Sequence, residues 1–194
     1  MNEKLFFKVR LYFTAIVTLA IFSLLSWNYF HGGVPSLHIL NDRNLPEISN
    51  WWGCLLLPIL VWFLFYTLKK RVGVDDENQK LQRFPVKIIY AFIGSLILGI
   101  LLSVFFTLGY ENFPAYILLV ILVSGLFFPI YRAEYFLGFV IGMTFTFGAV
   151  LPTGVAIILA LIGAFFYMCI RPSILYVVSR FLFVVVSRRQ KTAK

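Results

Sequence analysis

Between His31 and Gly53 the chain reads HGGVPSLHILNDRNLPEISNWWG. This stretch holds both histidines, two of the eight acidic residues and two of the four tryptophans. His31, His38, Asp42 and Glu47 supply imidazole and carboxylate, the donors zinc takes, and two histidines with one carboxylate form a known catalytic set. The two histidines lie seven apart, which is not the i, i+4 spacing of a helical pair, and there is no third. Without a metal, His31 or His38 can serve as general base for Ser36 or Ser49, oriented by Asp42. Cys54 and Cys169 fall inside apolar runs, and no CxxC or Cys/His metal spacing occurs.

The elements that must hold this loop are apolar. Of the 194 residues 61% are hydrophobic and 13% charged, with 22 Phe and a mean hydropathy of +0.91. A soluble domain has about 25% charged residues, so the composition implies an all-α integral membrane protein. The net charge is +9. Its basic residues sit in short clusters between apolar runs, as topology determinants do, which argues against a nucleic-acid partner.

A hydrocarbon core of about 30 Å takes roughly 20 helical residues to cross. Six segments approach that length: 9–30, 51–68, 86–108, 114–130, 135–150 and 154–170. With six crossings, Lys4, Lys8 and Arg10, the 69–87 cluster, Arg132 and the basic tail all fall on one side. The positive-inside rule makes that side cytoplasmic, with both termini. Residues 31–50 then face outward from a cell or inner membrane, with Trp27, Tyr29, Trp51, Trp52 and Tyr110 as an interfacial aromatic belt. Ser49 or Asn50 is expected to cap the second span.

Residues 1–172 thus form a six-span domain. Residues 173–194 read as a separate amphipathic inner-leaflet helix and basic tail, with Arg180, Arg188 and Arg189 near anionic headgroups. Small residues mark close helix contacts in lipid. Gly138 and Gly142 form a GxxxG pair in span five, Ala156, Ala160 and Ala164 a stripe in span six, and Gly94, Gly99 and Ser103 a third set in span three. These spans are expected to pack together, and span five offers a homo-oligomer contact. No ionisable residue stands in the middle of a span, which counts against a proton-coupled transporter or pump.

Three functions fit. The reading that asks least of these residues is an assembly component that binds a membrane-protein partner through the outer loop, using His31, His38, Asp42, Arg43, Glu47, Trp51 and Trp52, and through the basic C-terminal helix. The second is a carrier or passive pore for a small neutral or lipid-like solute. The third is a membrane-embedded hydrolase or metalloenzyme, with catalytic candidates His31, His38, Asp42 and Ser36 and metal candidates His31, His38 and Asp42. No cofactor is expected outside that third reading, where it would be zinc. The bilayer is a partner in all three. No Walker loop, GxSxG, HExxH or internal repeat is present.

Overall fold

A backbone surrounded by hydrocarbon must satisfy its own hydrogen bonds, so long apolar runs become helices. The computed structural model describes residues 3–31, 33, 36–38, 47–72, 86–110, 112–176 and 178–180. Its elements are α1 (Glu3–Phe30), a short ribbon of β1 (Ser36–His38) and β2 (Glu47–Ser49), α2 (Trp52–Val72), α3 (Val86–Thr107), α4 (Phe113–Ser124), α5 (Ala133–Phe147) and α6 (Val150–Phe165). Four helical stretches are long and apolar enough to cross a membrane: Lys4–Phe30, Trp52–Lys70, Val86–Thr107 and Val150–Arg180. The 12 residues of α4 and 15 of α5 make apolar helices of about 18 and 22 Å at 1.5 Å per residue.

Ring contacts show that successive helices alternate in direction. At one end Tyr29 meets Trp51 (6.4 Å), Phe105 stacks on Phe113 (4.9 Å) and Phe106 meets Phe147 (4.7 Å). At the other, Phe6 meets Phe65 (6.0 Å) and Tyr131 meets Tyr167 (6.0 Å). Every lysine and arginine among the described residues lies towards this second end, and Trp27, Tyr29, Trp51, Trp52 and Tyr110 are exposed at the first.

The expected break before residue 173 is absent. The helix runs on from Val150 to Arg180 through a π turn at Phe166–Ile170. Pro172 has no N–H to donate. Arg171 N–H bonds to Phe166 O within the π turn, and the Ser173 hydroxyl donates to Cys169 O at 2.9 Å, one turn back on its own helix. Residues 181–194, with Arg188 and Arg189, lie outside the described residues.

Two seams set the helix arrangement. The α3–α5 seam is tight because Gly99, Gly138 and Gly142 line it. A methyl group on Gly99 would lie 2.7 Å from Phe139 O, and one on Gly138 would collide with Ser95 Oγ and Phe92 O. The Gly138/Gly142 pair of span five is thus occupied by α3 of the same chain. The second seam joins the end of α4 to α6: a methyl on Gly125 would come within 3.4 Å of Gly163 Cα, and Ile130 fills the space over Gly163. The α5–α6 corner rests on the start of α2, where Asn50 packs over Gly148 and Gly53 over Ala149.

Candidate functional site

Because α3 is drawn to α5 and the end of α4 to α6, α3 and α4 spread apart as they leave their hairpin at residues 108–112. The result is a cavity of about 750 Å³ between α3, α4, α5 and α6. Ligand cavities typically span about 300–1,000 Å³ and are mostly apolar with a few placed polar groups. Leu98, Ile121, Phe139, Ala156 and Leu159 form the apolar interior here, and Lys87, Arg132, Glu134 and Tyr135 gather at the end nearest the basic face. Tyr90, Gly94 and Phe128 on its margin are exposed, so it opens sideways on the bundle. A methyl on Gly94 would meet nothing within 4 Å.

Glu134 follows the turn that starts α5 and is 3% exposed. It is the one acid among residues whose side chains are described. Its neighbour Tyr135 lies within electrostatic reach of Glu134, Arg132 and Tyr167, and the Arg171 guanidinium sits 4.5 Å over the Tyr167 ring. Within the cavity, Ser95 Oγ donates to Phe92 O (2.9 Å) and lies 3.5 Å from Glu134 O. The Ser124 hydroxyl donates to Ile121 O at 2.7 Å. These hydroxyls serve their own helices, which leaves the cationic groups, Glu134 and the Tyr135 phenol as the polar chemistry of the cavity mouth. Such an arrangement suits a molecule with a polar head and an apolar tail.

The residues singled out in the outer loop are not brought to one point among the described residues. His31 caps the end of α1: its ring stacks on Trp27 (4.0 Å between centroids, 14° between planes) and Nδ1 lies 3.0 Å from Trp27 O. In the ribbon Ser36 is paired with Ser49 and His38 with Glu47. Asp42 and Arg43 lie outside the described residues. Among the described residues no three of His, Cys, Asp and Glu converge as a metal site. Cys54 and Cys169 are free and near opposite ends. The Ser49 hydroxyl accepts from Trp51 N–H at 3.4 Å, while Asn50 is buried under Gly148. Arg180 is exposed on the last described turn beyond α6.

Ala156 and Ala160 line the cavity; their small side chains leave its space open. Hydropathy and motif spacing do not show the cavity, and Arg132 enters the sequence pattern only as a topology charge. The available signal was an acid placed directly before an apolar helix rich in small residues. Comparisons with protein-family models, with curated proteins and with solved structures find no match to this chain.

Proposed function

We propose that the protein is a six-crossing membrane carrier that admits a lipid-like amphiphile sideways between α3 and α4 and holds its head at the cytoplasmic face. The single observation behind this is the cavity itself, apolar within, charged at one end and open at the side. Lys87 and Arg132 attract an anionic or zwitterionic head, the Tyr135 phenol adds a hydrogen bond, and Leu98, Ile121, Phe139 and Leu159 line the tail. The charges stay near the membrane surface, where they are cheapest to keep.

The crossing count and sidedness rest on helix alternation and on the gathering of basic residues at one end, which the positive-inside rule makes cytoplasmic. Loop 31–50 and both termini take their sides accordingly. The 31-residue helix Val150–Arg180 is about 46 Å long, well beyond a 30 Å core. Its last turns, with Arg171 and Arg180, therefore reach the inner headgroup layer. The assembly reading uses loop 31–50 and the basic C-terminal helix; of its residues, Asp42, Arg43 and 181–194 lie outside the described residues.

The test is native mass spectrometry of the full chain with palmitoyl lysophosphatidylcholine, a zwitterion. Ala160→Trp fills the cavity, and Ile158→Trp places the same ring on an exposed position of the same helix. One amphiphile per chain is expected for the parent and for I158W, with A160W binding about tenfold more weakly, a change of 1.4 kcal/mol. Equal binding by all three would remove the cavity from the account. Liposomes containing this protein alone are expected to move the labelled amphiphile between leaflets, and A160W to slow it.

A further inference from the structure

A second recess lies on the far side of the bundle, between the start of α1 and the end of α2. It has a volume of about 430 Å³ and is lined by Lys4, Phe6, Phe7, Lys8, Arg10 and Lys69. Four of these six side chains are cationic and none is acidic. Phe6, 2% exposed, forms its floor and packs on Phe65. Phe7 stands edge-on to Trp62 at 6.4 Å.

Arg10 is the fixed member of the set. Its guanidinium carbon lies 3.5 Å over the Trp62 ring, and Nη2 donates to Trp62 O at 3.0 Å. Its Nε is buried without a hydrogen-bond partner among the described residues. A guanidinium held over an indole keeps its charge and gives up little further freedom on meeting an anion. Beside the recess run exposed apolar side chains one and two helical turns apart: Phe7 and Leu11 on α1, and Ile59, Trp62 and Tyr66 on α2.

The geometry points to a binding site for the phosphate headgroup of an anionic phospholipid in this recess, with its acyl chains lying along Phe7, Leu11 and Ile59. Charge complementarity selects the phosphate, because Lys4, Lys8 and Arg10 face one recess whose lining holds no acid. The apolar strip beside it selects a lipid over a soluble anion. Basic recesses between helices on the cytoplasmic side are the places where anionic headgroups bind. The site shares no residue with the α3–α6 cavity and does not depend on that cavity's ligand. It rests only on this end of the bundle lying at the membrane surface.

The test uses the full chain in phosphatidylcholine nanodiscs doped with phosphatidylglycerol, and reads the lipid retained by native mass spectrometry. Parent protein is expected to retain phosphatidylglycerol over phosphatidylcholine, and K4Q/K8Q to lose about fivefold per lysine removed. Lys4 and Lys8 are exposed, so the thermal midpoint of K4Q/K8Q should match the parent; the single variants K4Q and K8Q should each lose about fivefold. R171Q/R180Q removes equal charge elsewhere on the same face and is expected to lose clearly less retention than K4Q/K8Q. Equal retention of the two lipids, or an equal loss in R171Q/R180Q, would reduce the site to general surface charge and overturn the inference. Displacement of the lipid by inorganic phosphate would overturn it in favour of a soluble-anion site.

Discussion

Replacing single glycines of α3 and α5 by alanine separates the tight seam from the open cavity wall. Gly94 and Gly99 are both on α3, so the gain in helix propensity is the same at each, about 1 kcal/mol. At Gly94 a methyl meets nothing within 4 Å, so that gain stands alone and G94A should be stabilised by up to about 1 kcal/mol. At Gly99 the methyl would lie 2.7 Å from Phe139 O and 3.2 Å from Gly142 Cα. Carbon–oxygen contacts settle near 3.3–3.6 Å, so α3 and α5 must separate by about 0.6 Å. A gap of that size forfeits a quarter to a half of each packed contact, or about 2 kcal/mol over the roughly 50 contacts of one Leu-sized side chain. Leu102 and Val140, both buried in this part of the bundle, are among those exposed to the loss. G99A should therefore be destabilised by about 1–3 kcal/mol, the usual range for overpacking. G138A should lose more, since both Ser95 Oγ and a backbone oxygen stand in the way. The assay is unfolding in mixed micelles at rising SDS fraction, followed by tryptophan fluorescence. The order G94A, G99A, G138A is expected. A G94A protein as damaged as G138A would refute the assignment of these glycines to wall and seam.

Gly148 has φ +71° and its α-carbon is covered by the Asn50 amide. Gly148→Ala should cost about 2–4 kcal/mol from the left-handed backbone and overpacking together, and adding Asn50→Ala should return part of the overpacking cost in a double-mutant cycle. Ser173→Ala removes the hydroxyl bond to Cys169 O, so hydrogen exchange at 173–176 should speed up while α3 stays protected. For sidedness, a membrane-impermeant thiol reagent added outside should label Ser36→Cys and not Gln79→Cys in a chain whose own cysteines are replaced; the reverse pattern would invert the bundle.

The helices were legible because an apolar run in lipid has few alternatives to a helix. The runs at 51–68 and 86–108 match α2 and α3 within a few residues. The ends of the others differ for local reasons. α1 starts at Glu3 rather than residue 9 because lysine stems such as Lys4 and Lys8 extend a helix into the headgroup layer while their charges stay in water. α4 stops at Ser124 rather than running to 130, since Pro129 disfavours a helical residue before it and a series of turns leads into α5. The run past Pro172 goes through a π turn at Phe166–Ile170, a detail that hydropathy does not carry. The cavity was illegible because it arises from two glycine seams pulling α3 and α4 apart, a relation between residues about 40 positions distant such as Ser95 and Glu134. His31 and His38 drew attention by type and spacing, yet His31 turns back onto Trp27 of its own helix.

In the proposed carrier an amphiphile enters between α3 and α4 with its head at the basic end. Photo-crosslinking of the full chain in nanodiscs tests it most directly, using one amphiphile with a diazirine at the tail end and another with a diazirine in the head. Tail adducts are expected on peptides carrying Leu98, Ile121, Phe139 or Leu159, and head adducts on those carrying Lys87 or residues 132–135. Adducts spread over the exposed face of α1, at Tyr12, Ile16 and Leu19, with none on the cavity wall would contradict it.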